Sequence, residues 1–142
     1  MSAERVFLDT NVLVYVFDHD EPGKAKQAKD LLARAEPNGL VISAQVLSEF
    51  YVTVTRKLKR PLDTTAAEQA VEWLGLLKVI PLDVALVKAG VEISRSSQVS
   101  YWDGLIVASA AVGGCTRLLS EDLNDGQLIG GVRVENPFHV AS

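Results

Sequence analysis

The stretch Val6-Phe7-Leu8-Asp9-Thr10-Asn11 is an apolar run that ends abruptly in a carboxylate and two small polar residues. Three consecutive hydrophobic residues without alternation are typical of a strand covered on both faces, and such strands belong to the parallel sheets of α/β proteins. In open α/β sheets the ligand site lies beyond the carboxyl ends of the strands. Because an unpaired buried carboxylate is costly, we predict that Asp9 faces solvent, a cation or another partner at that edge.

Length and composition indicate one globular domain that spans residues 1–142. The N-terminal residues carry both signs of charge and lead directly into the first strand. We therefore expect no signal peptide, no membrane span and a cytoplasmic location. The single cysteine, Cys115, excludes an internal disulfide and a zinc site built mainly of cysteine. A formal net charge of -4 argues against binding nucleic acid through bulk positive charge, but it is compatible with an acidic site that recruits divalent cations.

Strands and helices alternate along the rest of the chain. Short apolar runs predict further strands at Leu40–Ile42, Val79–Ile80, Arg117–Ser120 and Val132–Val134. Helical spacing of apolar residues predicts helices between them, at Val12–Phe17, Lys24–Ala35, Ala44–Leu58, Thr65–Leu77, Asp83–Ser94 and Tyr101–Val112. This alternation predicts a three-layer α/β/α sandwich around a mainly parallel sheet.

The predicted helix Ala44–Leu58 carries Glu49 on the side opposite its apolar stripe. At about 100° per residue, Glu49 shares a face with Thr53 and Arg56, one and two turns further on. For a glutamate taken alone, a solvated helix face is the better explanation. Glu49 therefore becomes a site candidate only in combination with other acids.

Asp103 lies on a predicted helix that has few other polar groups. Ile106 and Val107 follow it one helical turn later. The spacing from Ser100 to Asp103 is that of a capping box, although glutamate or glutamine is usual at the fourth position. Spacing alone favours a helix cap and a catalytic carboxylate equally. Both roles stay open for Asp103 at this point.

Asp122 follows the strand Leu118-Leu119-Ser120 as Asp9 follows the first strand. Two carboxylates that end separate parallel strands are expected to meet at the same edge of the sheet. Glu121 and Asp125 are close enough in sequence to compete for this role. For any one of these three acids alone, a hydrophilic loop would be sufficient explanation.

Together, Asp9, Glu49, Asp103 and Asp122 come from different elements that can present their carboxylates at one edge. Clustered carboxylates repel and raise one another's pKa, so such a cluster is best explained as a site for a hard cation. Ligand sets made only of oxygen select magnesium or manganese over zinc. Two such ions can bind the attacking and leaving oxygens of a phosphodiester, so the acids predict metal-assisted hydrolysis.

Four stretches of this sequence resemble PIN-domain ribonucleases, and within them the VapC-type toxins of type II toxin–antitoxin pairs: VFLDTNVLVY, ISAQVLSEFYVTVTRK, SYWDGLIVASA and LLSEDLNDGQ. The resemblance implies a PIN-like fold and an endoribonuclease that depends on magnesium or manganese. It implies that Asp9, Glu49, Asp103 and Asp122 bind the metal, with Asp125 as a lesser candidate. Thr10, Asn11 and Ser120 match polar residues that position the carboxylates or water.

The same resemblance implies an RNA substrate, a homodimer and neutralisation by a small antitoxin protein. From its position on the Glu49 face, within the basic cluster 56–60, Arg56 is predicted to bind a substrate phosphate. The alternative is a solvated helix end whose cations are favourably placed near the C-terminus.

Two other functions compete with a metal-dependent nuclease. A haloacid-dehalogenase-like phosphatase also ends its first strand with an aspartate, but it needs a second aspartate two residues later, where this chain has Asn11. A non-catalytic RNA-binding domain could keep the same fold. The full set of acids and the acidic net charge both argue against such a binder.

Overall fold

The computed structural model describes residues 4–36 and 38–138. The strands in these residues are β1 (Val6–Leu8), β2 (Leu40–Ser43), β3 (Lys78–Ile80), β4 (Arg117–Leu119), β5 (Leu128–Ile129) and β6 (Val132–Glu135). They form one sheet in the order β3-β2-β1-β4-β6-β5. Neighbouring strands are parallel except β5 and β6, which pair antiparallel. The predicted α/β fold with a mainly parallel sheet is confirmed.

Helices connect and flank the strands: α1 (Thr10–Tyr15), α2 (Pro22–Arg34), α3 (Ala44–Val52), α4 (Thr64–Leu74), α5 (Val84–Ser97) and α6 (Tyr101–Val112). Ser43, Asp63, Asp83 and Ser100 begin four of them, each with a side chain that accepts a backbone N–H three residues on. These bonds satisfy amide groups that have no partner within the helix. Along the described part of the chain, no helix has the length and apolar character needed to cross a lipid bilayer.

The centre of the sheet is fully buried, which explains the unbroken apolar runs in the sequence. Phe7, Leu8 and Leu118 have no exposed surface. Burial of one such side chain stabilises the fold by about 1.5 to 3 kcal/mol. Leu8 of β1 pairs with Leu119 of β4. The residues that follow these two strands are therefore brought together at the carboxyl edge of the sheet.

The structure departs from the sequence predictions at three elements. The helix predicted to run from Ala44 to Leu58 is α-helical only to Val52 and continues as a π-helical turn, Thr53–Lys57. The first helix begins at Thr10 because the Asp9 side chain caps it. Strand β5 was not predicted, although it precedes a two-residue glycine turn that is typical of a β-hairpin.

Helices α5 and α6 form a closely packed hairpin in which Gly90 and Gly104 lie at the contact. A Cβ atom added at Gly104 would lie 2.5 Å from the backbone oxygen of Gly90 and 3.0 Å from the backbone nitrogen of Ser94. The residues from Gly104 to Ala110 are all buried. Helix α6 is thus central to the packing, as its nearly uniform hydrophobicity predicts.

Candidate metal-binding site

Asp9 is a buried carboxylate between β1 and α1, with only 6% of its surface exposed. One carboxylate oxygen, Oδ1, accepts a hydrogen bond from the Thr10 amide at 2.7 Å. The other, Oδ2, accepts one from the Ser120 hydroxyl at 2.8 Å. The pKa of Asp9 is raised to about 6, mainly because desolvation by burial outweighs these two hydrogen bonds, and in smaller part by the charges of Asp122 and Glu49.

Ser120 links the ends of β1 and β4. Its buried hydroxyl donates to Asp9 and accepts the backbone N–H of Asp122 at 3.1 Å. This hydroxyl therefore holds the loop after β4 against the carboxylate that follows β1. The role predicted for Ser120, as a polar residue that positions a carboxylate of the metal site, stays a prediction.

Replacing Ser120 with alanine is expected to destabilise the metal-free protein by roughly 1 to 2 kcal/mol, since Asp9 and the Asp122 amide each lose a partner. Urea unfolding in chelator measures this change. Ser96→Ala is the control, because its hydroxyl is exposed and makes only a 3.5 Å bond to Ile93. Equal stability of the two variants would show that the Ser120 bridge contributes nothing to the fold.

Glu49 accepts two hydrogen bonds, one from α1 and one from its own helix α3. Thr10 Oγ1 donates to Glu49 Oε2 at 2.8 Å, and Gln45 Nε2 donates to Glu49 Oε1 at 2.8 Å. Gln45 is itself buried, and its Oε1 atom has no hydrogen-bond partner among the described residues. Sequence reasoning missed Gln45, although it lies one helical turn before Glu49 and so on the same face.

Asp122 lies beside the other acids of the site. Its Oδ2 accepts a 3.3 Å hydrogen bond from Asn11 Nδ2. Partial burial raises the pKa of Asp122, and the nearby charges of Glu121, Asp103 and Glu49 raise it further. These carboxylates are therefore close enough to repel one another.

Asp103 lies in the first turn of α6. The Ser100 hydroxyl accepts the Asp103 backbone N–H at 3.1 Å. The return bond of a capping box, from the Asp103 carboxylate to the Ser100 amide, is absent from the hydrogen bonds of residues 4–36 and 38–138. Ser100 thus provides the cap by itself, which leaves the Asp103 carboxylate available to the acidic site.

A cavity of about 630 Å³ opens at this edge of the sheet. Three of the predicted acids line it, namely Asp9, Glu49 and Asp122. Thr10, Asn11 and Gln45 also face it, together with residues that sequence reasoning did not single out: Ser48, Val52, Leu82, Trp102 and Leu105. The lining of the cavity thus combines acidic side chains with apolar ones.

The positively charged side chain that lines the cavity is Lys57, and not Arg56 as the sequence predicts. A π-helical turn is closed by hydrogen bonds that span five residues, so it holds more residues per turn than an α-helix. In such a turn the chain therefore takes one more residue to come back to the helix face that carries Glu49. Thr53 and Lys57 line the cavity, and Arg56 is not among the lining residues, although both Arg56 and Lys57 are exposed. Phosphate binding by Arg56 stays a prediction, and Lys57 is the better placed cation.

Glu121 and Asp125 are engaged elsewhere. Glu121 accepts hydrogen bonds from the Tyr15 hydroxyl and from Lys24 Nζ, the latter at 3.1 Å. Asp125 accepts the backbone N–H of Asn136 at 3.0 Å. Both acids thus have partners that orient them within their loop. A role for either in metal binding stays an untested alternative.

The donor set fits a hard divalent cation by its chemistry. All the acidic donors are oxygen, and burial together with repulsion raises the pKa of Asp9 and of Asp122. Within the ranges that the structure describes, no three acidic, histidine or cysteine side chains converge closely enough to hold one ion as they stand. One ion bound by three of these acids would therefore need their carboxylates to lie closer together.

Fold and site together define an α/β domain with an acidic cleft at the carboxyl edge of a parallel sheet. The sequence profile of the PIN domain matches residues 6–124, and the chain therefore belongs to the PIN domain family. This result confirms the family inferred from the four sequence stretches. Among curated protein sequences, none matches this chain.

Several solved structures share the fold at low sequence identity. A toxin–antitoxin complex from Klebsiella pneumoniae matches with a TM-score of 0.72 and 20% identity, over 95% of this chain and 99% of that one. VapC20 from Mycobacterium tuberculosis, described as a sarcin–ricin loop cleaving toxin, gives 0.65 and 20%, over 82% and 89%. VapBC2 from Rickettsia felis, bound to a DNA fragment of its promoter, gives 0.63 and 20%, over 92% and 97%.

Proposed function

We propose that this protein is a metal-dependent endoribonuclease and the toxin of a toxin–antitoxin pair. The observation that carries the proposal is that Asp9, Glu49 and Asp122, from three separate elements, line one cavity at the edge of the sheet where α/β proteins bind ligands, with the charge of Asp103 near Asp122. Membership of the PIN family supports the same conclusion. One structural neighbour is described as a sarcin–ricin loop cleaving toxin, and another as a toxin–antitoxin complex.

In this proposal Asp9, Glu49, Asp103 and Asp122 hold the cation. Magnesium or manganese bound there would supply an activated water and stabilise the charge that develops on the phosphate. Thr10 and Gln45 orient Glu49, Asn11 orients Asp122, and Ser120 orients Asp9. Lys57 is placed to neutralise a phosphate of the substrate.

Partners and cellular location belong to the same proposal. The neighbour from Klebsiella pneumoniae, described as a toxin–antitoxin complex, supports a cognate antitoxin as a binding partner. We also propose a homodimer, which the family resemblance implies, and a cytoplasmic location. Size-exclusion chromatography with light scattering would measure the oligomeric state directly.

The phosphatase alternative is weakened by the contact that Asn11 makes. Such an enzyme needs a proton donor and acceptor at this position, whereas Asn11 donates its amide to Asp122. The non-catalytic alternative is weakened by the raised pKa of Asp9 and of Asp122. Repulsive acids are costly to gather, and a protein that only binds RNA gains nothing from them.

Cleavage of a labelled single-stranded RNA is expected to require magnesium or manganese and to fall at least a hundredfold, on the order expected for loss of one transition-state contact, in Asp103→Asn. Glu92→Gln is the matched control, because this exposed acid lies on α5, outside the cavity. Gel analysis of the products with metal and with chelator provides the measurement. Persistent cleavage in excess chelator would refute the metal-dependent mechanism.

A further inference from the structure

Trp102 is an exposed tryptophan beside the acidic site. Its relative exposure is 62%, although exposing a large aromatic side chain to water is unfavourable. It lines the same cavity as Asp9, Glu49 and Asp122. The indole is not part of the hydrophobic core, so its surface is free to contact a ligand in this cavity.

The indole is attached at a fixed place relative to the acids. Gln45 Nε2 donates both to Glu49 Oε1 at 2.8 Å and, more weakly, to the Trp102 carbonyl oxygen at 3.5 Å. One amide group therefore connects the backbone of Trp102 to a predicted metal ligand. Tyr101 packs edge to face against the indole, with ring centroids 5.0 Å apart and an interplanar angle of 66°. These contacts restrict the indole more than those of an isolated surface residue.

The residues that line the cavity around Trp102 include both apolar side chains and a cation, which suit the base and the phosphate of a nucleotide. Leu82 and Val52 also line the cavity and are 51% and 44% exposed, so they add apolar surface to the lining that contains Trp102. Lys57 lines the same cavity and supplies a positive charge for a phosphate. A base attached to a phosphodiester held at the acids would lie within the same cavity as these apolar side chains. Aromatic side chains stack on bases of any sequence, because every base has a π face.

We propose that Trp102 is the side chain that stacks on an unpaired base next to the phosphodiester that is cut. A base within a duplex is already stacked on both faces and is not free to contact the indole. This inference rests on the proposed ribonuclease function. It adds a residue that positions the substrate.

The chain has only two tryptophans, which allows a direct spectroscopic test. Trp73→Phe leaves Trp102 as the only tryptophan, and Trp102→Phe leaves Trp73, which is 53% exposed on α4. Each protein is mixed rapidly with single-stranded or duplex RNA in magnesium, and its fluorescence is recorded before cleavage. We expect single-stranded RNA to quench Trp102 and to leave Trp73 unchanged, and we expect duplex RNA to quench neither.

Affinity and kinetics provide a second readout. Trp102→Ala is expected to weaken binding of single-stranded RNA by roughly 5- to 100-fold, the usual effect of losing one stacked base. KM should rise more than kcat falls, since stacking holds substrate and transition state alike. Trp102→Phe should recover part of the affinity, and Trp73→Ala should behave as wild type.

The outcomes separate this inference from the function on which it rests. Cleavage of RNA without quenching of Trp102 would overturn the stacking proposal alone. If the wild-type protein neither binds nor cuts RNA in magnesium or manganese, both proposals fail. Equal quenching by duplex and single-stranded RNA would overturn the requirement for an unpaired base.

Discussion

Asp9→Asn is expected to reduce metal-dependent RNA cleavage by roughly a thousandfold and to stabilise the metal-free protein. The first effect follows because the amide keeps the shape of the side chain but loses the charge that holds the cation, a loss of about 4 kcal/mol of transition-state stabilisation. The hydrogen bonds survive the change. The asparagine oxygen can accept from the Thr10 amide, and its NH₂ group can donate to Ser120 Oγ.

The stability effect has a definite dependence on pH. The pKa of Asp9 is about 6 in the folded protein and 3.8 in its ordinary state. Between these values the folded protein keeps a proton that the unfolded chain releases, so stability falls as pH rises through this window. Above it, the ionised carboxylate costs the fold roughly 3 kcal/mol, and the asparagine variant avoids this cost.

Urea unfolding in chelator at pH 5 and at pH 7.5 tests this prediction for both proteins. Wild type should lose stability between the two conditions, and Asp9→Asn should lose less. Glu92→Gln serves again as the control, since it removes one charge from an exposed position. A variant with the same pH dependence as wild type would show that Asp9 is not the source of the effect.

Gly104→Val is expected to destabilise the protein by about 3 kcal/mol, because it forces apart the two closely packed helices α5 and α6. The new Cβ atom, placed with ideal geometry, would lie only 2.5 Å from the backbone oxygen of Gly90 and would collide with it. Backbone cannot yield as a flexible side chain can. For a chain of this size the melting temperature should fall by roughly 10 °C.

Gly23→Val is the matched control for the helix contact. Gly23 lies in the first turn of α2, and an added Cβ atom would meet nothing within 4 Å. We therefore expect a change within about 0.5 kcal/mol, as is usual for surface positions. Thermal melts in chelator compare the two variants. Similar melting temperatures would show that the helices can separate without cost.

Most of the fold could be predicted from the sequence because local and tertiary signals agree. The uninterrupted run before Asp9 is buried on both faces, and the helix after Ser100 begins and ends where its pattern indicates. Capping side chains such as Asp83 predict helix starts well, since the bond they make is local. The predicted acids Asp9, Glu49 and Asp122 do lie around one cavity.

The rest depends on features that a sequence pattern does not contain. The π-helical turn after Val52 changes which cation faces Glu49, and the residues Thr53–Lys57 give no local sign of it. Gln45 and Trp102 become part of the site through a contact between α3 and α6, which are far apart in the chain. The two-residue strand β5 is too short for a periodic signal, although its glycine turn could have revealed it.

The two ends of the sheet bear on how copies of this protein can associate. An exposed strand offers unpaired N–H and C=O groups onto which another chain can add, and long flat edges of this kind lead to aggregation. Here the outer strands are β3, with three residues, and β5, with two. Edge strands as short as these have few free N–H and C=O groups with which a second copy could form hydrogen bonds. Association of copies is therefore expected to use helix surfaces, because extending the sheet from one copy to the next would gain too little.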